Sequence, residues 1–318
     1  MKTKIEKIDR MQIDEAIMEE AGQIIKQGGL VAFPTETVYG LGANALDEEA
    51  ARKTYTAKGR PSDNPLIVHI AEKSALEEIV EELPEETKAL TDRFWPGPLT
   101  LILKKNARVP YGTTGGLDTV AVRMPDDPIA LELILRGGGY VSAPSANTSG
   151  RPSPTTAQHV AEDLDGKIDM ILDGGNVNIG VESTIVDMTS TPPMILRPGA
   201  VTKEMLEEVI GEVETDRTLL SENSPQAPKA PGMKYRHYAP KAQMILIEGP
   251  RLIQYLRSNS SHMIRQCLDG RKMANHTGLE SCYGGDNEPV HLWDSEEYRK
   301  PGESEDNYEK SVWNPPGV

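Results

Sequence analysis

Lys58 and Arg60 stand two residues apart in Lys58-Gly59-Arg60-Pro61-Ser62-Asp63-Asn64-Pro65, a loop punctuated by glycine and proline. Two cations on such a loop can grip phosphate. A short apolar run follows, and His69 is its one imidazole. An imidazole inside an aliphatic strand is ordinarily a satisfied core residue. Nine positions after Arg60, it can instead hold a small polar group at the edge of the same site. Two further cations end apolar segments, Arg123 after Thr119-Val120-Ala121-Val122 and Arg197 after Met194-Ile195-Leu196. A guanidinium on a strand this apolar is costly unless it is paired or bound to a ligand.

Neutral polar groups cluster in other loops at strand ends. Pro34-Thr35-Glu36-Thr37-Val38-Tyr39-Gly40-Leu41-Gly42 follows the run 30–33, and Pro144-Ser145-Ala146-Asn147-Thr148-Ser149-Gly150 follows 140–143. Ser183 opens another such segment. Loops at strand ends are where α/β proteins hold ligands. Threonines that bond their own backbone in a turn would look the same in sequence.

The known phosphate loops, G-x-x-x-x-G-K-[ST] and G-x-G-x-x-G, are missing, as is the G-x-S-x-G nucleophile elbow. The first cysteine is Cys267, so a thiol nucleophile is not available in the preceding chain. Lys58, Arg60, Arg123 and Arg197, with Thr35, Asn64, Ser145, Asn147 and Ser183, suit a polyphosphate beside a small zwitterion. Alignment and charge stabilisation can then drive a reaction at phosphorus without a covalent enzyme intermediate.

The elements that must position these groups alternate. Periodicity predicts helices over 14–27, 47–57, 85–94, 129–136, 155–164 and 202–210. Asp47 is an expected N-cap, and Ser74-x-x-Glu77 reads as a capping box. Strands are expected over 30–33, 66–70, 99–103, 119–123, 140–143, 170–172, 182–187 and 194–197. This is an α/β pattern. Segment 34–42 and the Gly/Thr-rich segment 110–118 read as loops.

The 318 residues suggest two domains, or one with an appendage. No apolar run approaches the ~20 residues of a membrane span, and the N-terminus has no apolar signal region. With two cysteines in no recognisable framework, a reduced, cytoplasmic protein without membrane contact is expected. A net charge of −15 argues against a surface that binds nucleic acid throughout, though not against a local basic cleft. Glu77, Glu78, Glu81, Glu82, Glu85 and Glu86 read as solvated faces.

Residues 214–240 are rich in proline and serine and read as a linker, yet they hold Pro231-Gly232-Met233-Lys234-Tyr235-Arg236-His237-Tyr238-Ala239-Pro240. Met244-Ile245-Leu246-Ile247 looks like the opening strand of a second domain. Residues 251–318 show almost no periodic apolar pattern and predict a disordered or badly formed tail. Cys267, Cys282, His276 and His291 fit no common metal-ligand spacing.

The motifs Pro34 to Leu41, Lys58-Gly59-Arg60-Pro61 with Asn64-Pro65-Leu66, Ser142-Ala143-Pro144-Ser145-Ala146-Asn147, and Arg197-Pro198-Gly199 resemble the YrdC/Sua5 family. The segment 231–240 is similar to the interdomain segment of the longer, Sua5-type members. The resemblance covers about residues 13–249, and from there the chain departs from it. It implies a YrdC-like twisted mixed sheet with helices over 10–212, a linker over 213–240, and a partial or divergent Rossmann-like Sua5 domain over 241–318. It implies a nucleotidyltransferase that makes L-threonylcarbamoyladenylate and pyrophosphate from L-threonine, bicarbonate and ATP. The product would feed t6A modification of adenosine 37 in tRNA.

On this resemblance Thr35, His69, Arg123, Ser183 and the main chain at Ala143 would hold L-threonine. Lys58, Arg60, Asn64, Thr119, Ser145, Asn147, Ser153, Arg197 and Tyr235 would surround ATP. Lys58 and Arg60 would stabilise charge on the phosphates, with Mg²⁺ accompanying the nucleotide. tRNA or double-stranded RNA and the downstream t6A transfer proteins would be partners. The alternatives are a non-catalytic RNA-binding module on the same basic concavity, and a carbamoyl-transfer relative that uses carbamoyl phosphate.

Overall fold

The computed structural model describes residues 2–216 and, for the backbone alone, residues 279–283 and 289–293. Strand β1 (Lys4–Lys7) leads to helix α1 (Glu15–Lys26), whose N-cap Asp14 accepts from the amides of Ala16 and Ile17. Strands β2 (Val31–Phe33) and β3 (Gly40–Asn44) precede α2 (Glu48–Lys58). Asp47 caps α2 as expected, accepting from the Glu49 amide at 2.9 Å. Gly59, at φ 61°, ends α2 in the left-handed conformation that glycine adopts without strain.

Next come β4 (Ile67–His69), the one-turn α3 (Ser74–Glu77), α4 (Glu85–Phe94), β5 (Leu99–Lys104), the one-turn α5 (Tyr111–Thr114) and β6 (Thr119–Arg123). Then follow α6 (Pro128–Arg136), β7 (Val141–Ser142), α7 (Ala157–Leu164) and β8 (Met170–Asp173). The last elements of this part are β9 (Thr184–Asp187), β10 (Met194–Arg197), α8 (Lys203–Ile210) and β11 (Glu214–Thr215).

The eleven strands form one mixed sheet, in the order β1-β8-β2-β3-β7-β4-β6-β5-β9-β10-β11. Helices α1 and α6 pack on one face over Val31, Phe33, Val141, Met170 and Leu172. On the other face, α7 and Ala50 of α2 cover Leu30, Ala32, Leu41 and Ala43. Leu90 of α4 and Leu206 of α8 join Val68, Leu101, Val122 and Val186 on that same side. This leaves the β4-β6-β5-β9-β10 half of the first face. There Ile67, Ile102, Ala121, Ile185 and Leu196 form a small apolar floor to which no described helix contributes.

Several elements depart from the sequence expectation. Segment 34–42 is not all loop, because β3 begins at Gly40. Its Gly-Leu-Gly-Ala-Asn composition hides it. The glycines are there because the Phe33 ring lies against them: a Cβ on Gly42 would fall 3.0 Å from that ring and 3.1 Å from Val141. Strand β1 was also missed, being a mostly exposed edge strand of polar composition. Segment 110–118 holds the helical turn α5. Ser74 caps nothing; it lies inside α3, whose N-cap Lys73 makes no side-chain capping bond. In α1 the buried stripe is Met18, Ala21, Gly22 and Ile25, with Ile17 and Ile24 at its margin. Gly22 lets α1 approach the α6 backbone at Arg136 closely. The six glutamates between 77 and 86 are all exposed.

The chain divides into two units, Met1–Tyr238 and Ala239–Val318. In the second, β12 (Leu279–Tyr283) pairs antiparallel with β13 (Pro289–Trp293), within a stretch where the sequence showed little periodicity. The expected strand at 244–247, the Tyr235 segment and the rest of the tail lie outside the described residues. No helix among the described residues is long and apolar enough to cross a membrane.

Candidate active site

Strand register builds the site. Residues paired across neighbouring strands project to the same face. His69 of β4 pairs with Arg123 of β6, and Arg123 pairs with Thr100 of β5. The Thr100 hydroxyl meets the Ser183 hydroxyl at 2.7 Å, just before β9. Arg197 closes the row from β10, its Nε donating to the Ser183 carbonyl at 3.0 Å and its Nη2 to the Ser183 hydroxyl at 3.1 Å.

Simple alternation would turn Arg197 away from this face, to the side of Ile195. A register shift between Ile195 and Arg197 brings the guanidinium onto the face of Leu196 instead. Such bulges re-aim side chains next to functional sites. Burial lowers the Arg197 pKa to about 10, opposed by Glu182 and reinforced by Arg123 and Arg60, so the group stays charged at neutral pH.

His69 is buried, with Nδ1 3.2 Å from the Ile67 carbonyl and the ring edge-on to Phe33. Desolvation, with Arg123 nearby, pushes its pKa down to about 3. The imidazole is therefore neutral at physiological pH and does not repel a cationic ligand group.

Arg123 is 4% exposed, and its Nη2 lies 2.7 Å from a Glu36 carboxylate oxygen. The contact is close but misaligned. Neither Glu36 oxygen nor Arg123 Nη2 makes a hydrogen bond, and Arg123 Nε has only a 3.3 Å bond to the Gly97 carbonyl. The loop carrying Glu36 is held by Thr35. Its hydroxyl bonds the Val38 carbonyl and the Thr37 hydroxyl and accepts from the amides of Thr37 and Val38. Thr35 is thus in the self-bonded turn that was one of its two readings.

Lys58 ends α2 with its side chain turned inward. Its ammonium donates to the Ser145 carbonyl, to the Asn147 carbonyl at 2.5 Å and to Asn147 Oδ1 at 3.3 Å. Asn147 Oδ1 also accepts from the Ser145 hydroxyl, while Asn147 Nδ2 donates to the carbonyls of Thr148 and Arg151. Burial, with Arg60 adding to it and Asp163 opposing, lowers the Lys58 pKa well below its ordinary value. Lys58 is therefore the centre of a saturated knot that sets the 145–151 loop.

Arg60 is half-buried and donates to the Pro65 carbonyl at 3.0 Å. Asn64 is buried, and its Oδ1 has no hydrogen-bond partner. Ser153 donates to Glu182 at 2.5 Å. The Ala143 amide is committed to the Ile67 carbonyl, so any ligand contact at its main chain would fall to its carbonyl oxygen. Thr119 lies at the far end of β6 from Arg123, in a groove of about 730 Å³ with Lys104, Lys105, Tyr111 and Asp118. That groove is lined by none of His69, Arg123 and Ser183.

The structure thus brings His69, Arg123, Ser183 and Arg197 into one row and ties Lys58, Ser145 and Asn147 into one knot. Sequence reasoning missed Glu36 and Thr100. Glu36 carried a signal: an acid among hydroxyls at a strand end, in a chain with an unexplained arginine on an apolar strand.

A family model described as telomere recombination, Sua5_yciO_yrdC, matches residues 23–199. A second, described as the C-terminal domain of threonylcarbamoyl-AMP synthase, matches 201–309, so the likeness extends past Gly249, where the chain was expected to depart from the family. The threonylcarbamoyl-AMP synthase of Pyrococcus abyssi is 57% identical over 76% of this chain and 71% of its own length. That of Bacillus subtilis is 52% identical over 80% of this chain and 75% of its own. The crystal structure of P. abyssi Sua5 complexed with L-threonine superposes with a TM-score of 0.79 at 50% identity, covering 91% of this chain and 83% of that one. On these matches the chain belongs to the Sua5/YciO/YrdC family.

Proposed function

We propose that the chain is an L-threonylcarbamoyladenylate synthase, joining L-threonine, bicarbonate and ATP with release of pyrophosphate. The observation that carries this reading is the row His69, Arg123, Ser183 and Arg197 on one open half-face of the sheet. It offers a fork for a carboxylate at one end and a cation for phosphate at the other. The synthases of P. abyssi and B. subtilis, and the Sua5 complex with L-threonine, support L-threonine and ATP as substrates.

In this reading Arg123 receives the threonine carboxylate, and neutral His69 and the Ser183–Thr100 hydroxyl pair face its side chain. The Ala143 carbonyl adds a main-chain acceptor, and Thr35 acts by holding its loop. Arg60, Asn64, Ser145, Ser153 and Arg197 surround the nucleotide, with Thr119 at its margin, and Tyr235 is a further nucleotide contact on the resemblance alone. Lys58 and Asn147 hold the loop that presents Ser145.

The threonine ammonium gives up a proton to solvent, the freed amine bonds to the bicarbonate carbon, and the bicarbonate hydroxyl leaves as water with a second proton from the nitrogen, giving a carbamate. A carbamate oxygen then bonds to the α-phosphorus as the bond to pyrophosphate breaks. Arg60 and Arg197 stabilise the charge that develops, and no covalent enzyme intermediate is needed. No group of three or more His, Cys, Asp or Glu among the described residues could hold a metal ion. Magnesium would arrive with the phosphates, as is usual for nucleotides. The product would supply t6A formation at tRNA adenosine 37 through transfer proteins in the cytoplasm.

Pyrophosphate release from ATP tests this. It is expected to require both L-threonine and bicarbonate. Release that continues without threonine, or that carbamoyl phosphate restores in place of threonine and bicarbonate, would overturn the reading.

A further inference from the structure

We propose that Glu36 is the ammonium-binding group of the amino-acid site, and that its contact with Arg123 is an internal pairing which the substrate zwitterion replaces. The inference rests on the function proposed above and goes beyond it, to the group that makes the site select an α-amino acid. Glu36 is 6% exposed, and neither carboxylate oxygen has a hydrogen bond. Arg123 Nη2, 2.7 Å away, lacks one too. Buried polar groups are almost always bonded, so two opposite charges that touch without bonding mark a place where something else completes them.

A zwitterion does so with a single molecule: its carboxylate accepts from the Arg123 fork and its ammonium donates to Glu36. One misaligned contact becomes two aligned, charge-assisted ones. The position of Glu36 is fixed on both sides. The Thr35 hydroxyl closes the turn around it, the Ile179 amide donates to the Glu36 carbonyl at 2.9 Å, and the Gly180 amide donates to the Thr37 carbonyl at 3.0 Å. Across the row, His69 is a neutral ring and does not compete with the ligand ammonium for Glu36. The nearest charge facing Glu36 is then Arg123, which the incoming carboxylate neutralises.

Calorimetry with two ligands tests this: L-threonine, and 2,3-dihydroxybutanoate of matching stereochemistry, which carries a hydroxyl in place of the ammonium. Wild type is expected to prefer threonine by at least about 100-fold, the scale of a buried charge-assisted bond with its partner left unpaired. Glu36→Gln is expected to weaken threonine at least about 30-fold while the hydroxy acid stays within about threefold, so that discrimination collapses. Glu36→Asp should recover part of it. A purely structural role would weaken both ligands alike, and that result overturns the proposal, as does unchanged threonine affinity in Glu36→Gln. Should the Gln variant not fold, wild type decides alone, and equal binding of the two ligands overturns the proposal. Binding is read without turnover, so a chain that discriminates but releases no pyrophosphate would sink the proposed reaction and leave this inference standing.

Discussion

Two polar clusters lie within the same sheet-centred unit and are built on opposite terms. Around Lys58, the ammonium reaches three acceptors and both ends of the Asn147 amide are bonded. Around Arg123, charge meets charge, yet the carboxylate of Glu36 makes no directional bond at all. Both are buried, so solvent does not explain the difference. A saturated cluster can only hold a shape. An unsaturated one keeps bonding capacity for a ligand, and the protein is less stable for it. The contrast separates what builds the site from what binds in it, and it moves Lys58 toward the first role and Glu36 toward the second.

The comparison can be broken most forcefully at Arg123. Arg123→Met should abolish threonine-dependent turnover, by at least about 100-fold, and should also destabilise the fold by about 3–5 kcal/mol, because it strands the buried Glu36 carboxylate. Adding Glu36→Gln should recover most of the stability in urea unfolding and none of the turnover. Stability that stays low in the double variant would mean that the pair is structural.

Lys58→Met should cost about 1–3 kcal/mol in the same unfolding assay, since it leaves buried acceptors in the 145–147 loop without a donor. ATP would be held less well as that loop loosens, while threonine affinity changes little. An unaltered unfolding midpoint with ATP binding lost would instead make Lys58 a direct phosphate ligand.

The smallest effect concerns His69. Its folded pKa of about 3 lies below the ordinary value near 6.5, so the unfolded chain takes up the proton first as pH falls. Stability should therefore drop as pH decreases from about 6.5 toward 3. The cost reaches about 1.4 kcal/mol at roughly one unit below the unfolded pKa. His69→Asn should lack this share of the acid sensitivity, seen as a shallower fall in unfolding midpoint than wild type between about pH 6.5 and 5.5. Parallel curves would show that the ring is not buried as a neutral group.

Much of this was legible in the chain itself, and for local reasons. Helices with a strong local signal, such as α2 after its Asp47 cap or the periodic α4, lie where the sequence put them. Arg123 stood out because a charge on Thr119-Val120-Ala121-Val122 needs a reason. What escaped notice depended on contacts distant in sequence. Strand β3 is shaped by the Phe33 ring packed on its glycines. Arg197 reaches the row only through a register shift in β10. The acceptors that claim Lys58 come from another strand end, and Glu36 gains its meaning only once β6 brings Arg123 beside it.

Threonine-dependent thermal stabilisation tests the central claim most directly, that the Glu36–Arg123 pair binds the substrate zwitterion. At about 100 times the dissociation constant, a ligand bound only by the folded state adds about 2.7 kcal/mol. Wild type should show that rise in melting temperature with L-threonine, and the Glu36→Gln/Arg123→Met variant, folded and comparably stable, should show none. An equal rise in both proteins would contradict the account.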